Sequence, residues 1–232
     1  MRLKLVIFLA VFLVTQTVLG QADIPFYVKT ANYTTGKKEQ GVIVKLMEGS
    51  TVISTMTTDA AGEIKLNLKP GKKYKIEVSK AGKVSRSITV NVANVNDELL
   101  QGNSKPEGSC QISLFDKTPG IDYSYVETTP ITEFYFDGQN TTLQFDAILA
   151  DKMAKKIEKL MKDAEALSKQ GDANYNNIIK QADALYIAKK YEEAKDQYVA
   201  ALKIKPTEKH PNDRLIEIDG ILSAQKAANL AN

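Results

Sequence analysis

The spacing of apolar residues changes once along this chain, and that change bounds what the chain can fold into. From Phe26 to Val92, apolar residues recur at every second position: Val42, Val44 and Leu46; Ile64, Leu66 and Leu68; Tyr74, Ile76 and Val78; Ile88, Val90 and Val92. A period of two puts alternate side chains on opposite faces of a strand, so each set lines one face of a sheet. After Gln144 the interval becomes three and four: Leu149, Met153, Ile157, Leu160, Ala164 and Leu167 form one helical stripe. The two periods require different partners to bury their apolar faces. The expected class is therefore α+β in two domains, with strands first and helices second.

Turn signals separate the strand sets: Thr34-Thr35-Gly36-Lys37, Glu48-Gly49-Ser50, Asp59-Ala60-Ala61-Gly62, Pro70-Gly71 and Ala81-Gly82. Their spacing of about ten residues predicts an antiparallel β-sandwich over residues 24–92. Residues 93–145 read as a β-rich extension with two or three further strands, of which 111–115 and 133–137 are the clearest, the latter ended by Gly138. The helical domain covers 146–232. Its first helix is expected to stop at Gly171, and Asp172 to cap a second that carries Ile178, Ala182 and Leu185 on one face. A third helix runs from Tyr191 to Ile204, ahead of Pro206, with Ala194, Tyr198 and Ala201 on one side; Pro211 opens a fourth carrying Leu215, Ile218 and Leu222.

Two stretches resemble known families. The order Gly41-Val42-Ile43-Val44, Thr58-Asp59-Ala60-Ala61-Gly62-Glu63-Ile64, Leu68-Lys69-Pro70-Gly71-Lys72-Lys73-Tyr74 and Val78-Ser79-Lys80-Ala81-Gly82 resembles the carboxypeptidase regulatory-like domain. That resemblance implies a transthyretin-like sandwich that accompanies other domains and has no catalytic residues. From Tyr175 to Pro206 the chain resembles one tetratricopeptide repeat, with Ala182, Tyr191, Ala194, Tyr198, Ala201 and Pro206 at the positions of the pattern. If it follows that family, a concave partner-binding side is lined by Asn176, Ile179, Asp183 and Tyr186. One such hairpin cannot bury its own apolar face, so flanking helices must cover it. Both resemblances point to the envelope of Gram-negative bacteria, with a secretion or gliding machinery as the setting.

The N-terminus sets the compartment. Arg2 and Lys4 precede an apolar run over 5–19 that only Thr15, Gln16 and Thr17 interrupt, followed by small residues, which is the pattern of a signal peptide at 1–20. The run is short for a membrane span, which needs ~20 apolar residues. Val18 and Gly20 suit cleavage before Gln21, with a cut after Ala22 as the alternative. No Cys stands there to take a lipid. The expected location is the periplasm or the outer membrane surface, with secretion as second choice.

Composition removes several functions. The chain holds 31 Lys and Arg against 28 Asp and Glu, or 29 against 28 without Arg2 and Lys4, so no basic surplus argues for nucleic acid. On the first expected helix, Lys152, Lys155, Lys156, Lys159 and Lys162 are interleaved with Asp151, Glu158, Asp163 and Glu165, a solvated face with i,i+4 pairs. One Cys, Cys110, and one His, His210, exclude an intrachain disulfide and a Cys/His zinc cluster. Cys110 stands beside Ile112 and Leu114 and reads as a small core residue, whereas His210, before Pro211, reads as a surface residue. Asp116, Asp122, Asp137 and Asp146 form no Asp-x-Asp-x-Asp-Gly calcium loop. The expectation is a non-enzymatic protein–protein scaffold or adaptor without cofactor or metal. The alternative is a glycan- or peptidoglycan-binding module in which Tyr135 or Phe136 stacks on sugar.

Overall fold

The computed structural model describes residues 23–101 and 105–231. The expected signal peptide at 1–20 and both cleavage positions lie outside the described residues. The described residues divide into two compact units, one within 23–115 and 128–149, the other within 116–127 and 150–231.

Six strands come first: β1 (Ile24–Asn32), β2 (Ile43–Glu48), β3 (Thr51–Thr57), β4 (Glu63–Leu68), β5 (Lys73–Ser79) and β6 (Arg86–Asn91). They are followed by α1 (Asp97–Gln101), β7 (Gly108–Leu114), α2 (Ser124–Thr128), β8 (Glu133–Tyr135) and β9 (Gln144–Phe145). The strands form a three-stranded sheet in the order β4-β1-β7 and a six-stranded sheet in the order β3-β2-β5-β6-β8-β9. The inward positions of both sheets join one core, in which Phe26, Val28, Leu66 and Ile112 of the smaller sheet meet Val44, Ile76, Val90 and Phe134 of the larger. Phe26 and Phe134 touch edge to face across the sandwich, centroids 5.2 Å apart. Each such side chain contributes roughly 1.5–3 kcal/mol when it leaves water, which is what holds the sheets together without a disulfide. Cys110 packs against the edge of this core, and burial pushes its thiol up to about 12.

Most pairings are antiparallel, but β1–β7 and β6–β8 are parallel. Both parallel partners come from the 93–145 stretch, whose strands extend the two sheets instead of forming a layer of their own. A parallel neighbour needs a long return path, and the segments between β1 and β7 and between β6 and β8 supply one.

The helical unit departs from the expected four helices. After residue 145 the described residues form three: α3 (Ala147–Ile187), α4 (Tyr191–Ile204) and α5 (Lys209–Ala231). Asp146 caps α3 by accepting the Leu149 N–H at 2.9 Å. The helix then runs through Gly171 without a break. Gly171 has no positive φ and no proline stands near, so it weakens the helix by ~1 kcal/mol without ending it. Asp172 caps nothing; its carboxylate pairs with Lys205 at 2.8 Å, and Lys205 also lies over the Tyr175 ring. The expected stripe of α3 is buried at Met153, Ile157, Leu160 and Ala164, and its exposed face carries the pairs Asp151–Lys155 and Glu158–Lys162. Pro211 sits in the first turn of α5, where a missing N–H leaves no helical bond unmade.

Candidate functional site

The four residues expected to face a partner all lie on the last turns of α3, and the structure gives them different surroundings. Asn176 is exposed. Ile179 is half buried against the cluster formed by Ala182 of α3, Ala194 and Tyr198 of α4, and Ile218 of α5. Alanines at 182, 194 and 201, all fully buried, let the helices approach, and the Tyr198 ring fills the space between them. Asp183 and Tyr186 are engaged inside the unit. Asp183 Oδ1 accepts the Tyr198 hydroxyl at 2.5 Å and lies 2.8 Å from His210 Nε2. The Tyr186 hydroxyl donates to Glu217 at 3.1 Å, its ring packs edge to face on Tyr191, and the Arg214 guanidinium stacks 4.5 Å over it.

Asp183 thus gathers one group from each of the other two helices. Burial pushes its carboxyl pKa up, but the hydrogen bonds from Tyr198 and His210 outweigh this, and the net shift is downward. The same pair acts on the Tyr198 phenol, which burial and the Asp183 carboxylate hold well above its usual range. His210, expected as a plain surface residue, is half exposed and ties α5 to α3 while its ring packs edge to face on Tyr198. Its role was hidden in the sequence because Asp183 and Tyr198 are distant along the chain; a His just before Pro211 at a helix start was the only local signal. The cluster joins three helices.

The carboxylates of the irregular middle are used locally. Asp137 accepts the N–H groups of Asn140 and Gln139 at 2.9 Å each, which holds its pKa below the usual range, and Asp122 accepts the Ser124 N–H. Among the described residues, no group of three or more His, Cys, Asp and Glu side chains is placed to hold a metal ion. Of the two aromatics considered for sugar stacking, Phe136 is buried in the sandwich core. Tyr135 is 40% exposed and shares the outer sheet face with Asn91 and Gln144, its paired neighbours. Beside it Glu133 accepts from Asn91 at 3.1 Å and from Lys73 at 2.8 Å.

The helical unit also carries an open groove of about 710 Å³ along α4 and α5, lined by Glu192, Lys195, Asp219, Leu222, Lys226 and Leu230 among others. Lys195 and Asp219 pair across it at 2.6 Å, and Leu230 is 80% exposed. No helix among the described residues is long and apolar enough to cross a membrane.

No family model matches the chain, and no curated protein matches it. Among solved structures, it is similar to the group B streptococcus pilus 2b backbone protein at 15% identity and a TM-score of 0.31, over 41% of this chain and 42% of that one. It is also similar to 3-chlorocatechol 1,2-dioxygenase from Rhodococcus opacus, at 14% identity and a TM-score of 0.31, over 41% of this chain and 60% of that one. A third likeness is to 5-hydroxyisourate hydrolase from Klebsiella pneumoniae, at 11% identity and a TM-score of 0.27, over 53% of this chain and 96% of that one. The chain spans less than two thirds of the length of the first two proteins. The fold rests on its own strand pairing.

Proposed function

We propose that this chain is an exported, non-enzymatic adaptor of the cell envelope that binds a protein partner through its helical unit. The observation that carries the reading is the groove on α4 and α5. A stack of helical hairpins buries its apolar faces only against further helices, and on α5 Leu222 stands at the groove wall while Leu230 is exposed. An amphipathic partner helix laid there would cover Leu230 and find Glu192, Lys195 and Lys226 along the rim. The tetratricopeptide-like pattern of residues 175–206 and the carboxypeptidase regulatory-like pattern of 24–92 support the same reading, as does the export signal. The setting we favour is the periplasm or the outer membrane surface, alongside a secretion or gliding machinery. A photoreactive residue in place of Leu230, irradiated in intact cells, should capture the same envelope protein in repeated preparations. Capture of a different set of proteins each time, or of none, rejects the adaptor.

A second reading, glycan binding, is favoured by Tyr135 alone. Its exposed ring offers an apolar face flanked by the amides of Asn91 and Gln144, and the adjacent charges of Lys73 and Glu133 cancel. Retention on peptidoglycan or polysaccharide that disappears in Tyr135→Ala supports it. Phe136→Ala is no test, because that ring belongs to the core.

A further inference from the structure

The two sheets end in four edges, and three of them are closed to another strand. On β7 the outward N–H and C=O groups are those of alternate residues from Glu107. Glu107 bonds Thr141 and Leu143, Arg86 reaches the Ser113 carbonyl at 3.5 Å, and the Phe115 carbonyl accepts the Val84 N–H. The β4 edge carries Glu63 and Lys65, and β9 is two residues long. Charge, brevity and cover are the usual protections of an edge.

The fourth edge, β3, has only a bulge near its hairpin end, where the register with β2 shifts between Leu46 and Met47. Thr51–Thr57 reads Thr-Val-Ile-Ser-Thr-Met-Thr, without a charge or a proline, and Val52 and Ile53 are 46% and 49% exposed. Thr58 turns its N–H to the Val42 carbonyl at 3.0 Å and its C=O to the Gly41 N–H at 3.2 Å, both toward the β2 side. By the alternation of a strand, Thr57 and Thr55 turn theirs to the open edge.

We propose that this edge pairs antiparallel with β3 of a second copy, about a two-fold axis at Thr55. This goes beyond the adaptor reading and stands without it. The occupant follows from the composition of the strand. An uncharged edge offers nothing to match a charged peptide, but it is its own complement: Thr55 meets Thr55 and Ser54 meets Met56, short of the bulge at Ile53, with no like charges opposed. A two-fold pairing also consumes both open edges, and the closed edges elsewhere stop growth at two copies.

The test is sedimentation of the mature chain from Gln21 onward over a wide concentration range. The expected result is a reversible dimer, and a monomer at every concentration overturns the proposal. Thr55→Pro removes an N–H that the chain does not use internally, so the fold, read by circular dichroism, should survive while dimerisation weakens by about tenfold or more. Thr55→Lys sets two like charges against each other and should do the same. Thr55→Cys places two thiols across the axis at a Cα separation of about 5.5 Å, within disulfide reach, and oxidation should yield a covalent dimer. Cys110, partly buried against the core, stands on β7 of the other sheet, away from this edge. A dimer that withstands both Thr55→Pro and Thr55→Lys, or that Thr55→Cys fails to crosslink, places the contact elsewhere and overturns the proposal.

Discussion

Asp183 accepts hydrogen bonds from two other helices, and that makes its charged form the one the native state prefers. Burial raises its carboxyl pKa, the bonds from Tyr198 and His210 lower it, and the lowering prevails. The folded pKa therefore lies below the unfolded one, so the stabilisation is fully present above the ordinary aspartate value of about 3.9 and is lost as pH falls through the folded value. Thermal melts followed by the helical signal should show wild-type losing stability below about pH 4. Asp183→Asn, which cannot gain a charge, should lose less over the same interval, and an identical acid profile in both proteins contradicts the assignment. Tyr198→Phe, at a position with no exposure, should cost roughly 1.5–3 kcal/mol at neutral pH, the usual net value of a hydrogen bond to a charged group. Gly62 makes a different demand. Its φ is +69°, and a Cβ there would stand 2.7 Å from the Thr30 carbonyl oxygen. Asp59 closes the same turn by accepting the N–H groups of Ala61 and Glu63. Gly62→Ala should lower stability by about 2 kcal/mol or more in denaturant titration, the left-handed backbone alone costing roughly 1–2 kcal/mol. The glycine was legible in the sequence because its turn is local. The Asp183 cluster was not, because its three residues meet only when three helices pack.

Among elements, alternation made β2, β4, β5 and β6 readable, since each turns its apolar side chains to one buried face. It failed for β3, whose run is neither alternating nor charged, and that edge emerged only from the strand order. The parallel placing of β7 and β8 was also hidden, because local pattern marks a strand and says nothing of its neighbour. Gly171 misled for a physical reason. A glycine ends a helix when it takes a left-handed φ beyond the last turn, and Gly171 does neither. Nothing lies within 4 Å of where its Cβ would be, and the residue is partly exposed. Gly171→Ala should therefore raise stability by roughly 0.5–1 kcal/mol, the helical penalty of glycine, with unchanged secondary structure. A fall in stability on urea titration shows that the backbone at 171 does not hold an unbroken helical conformation.

For the molecule as a whole, the change of period near residue 145 made the α+β division legible, but not its bookkeeping along the chain, because 116–127 joins the helices although it lies among the strands in sequence. Composition bears on where such a molecule works. A lone, partly buried Cys110 with its thiol pushed up to about 12 leaves the fold indifferent to an oxidising compartment, so melts with and without reductant should coincide. The compartment itself depends on the first residues. The apolar run over 5–19 carries no charge between Lys4 and the small residues Val18 and Gly20. A charge in its centre costs about 2.5–3.5 kcal/mol on insertion scales, enough to block engagement with the export apparatus. The expected wild-type product lies outside the cytosol and begins at Gln21, or at Asp23 if the cut follows Ala22. Phe12→Arg should instead leave a cytosolic precursor that retains residues 1–20. Fractionation with N-terminal mass measurement distinguishes them: a wild-type chain in the cytosol beginning at Met1 removes export. The adaptor then loses its compartment, while the β3 pairing, which rests on the edge alone, keeps its own test.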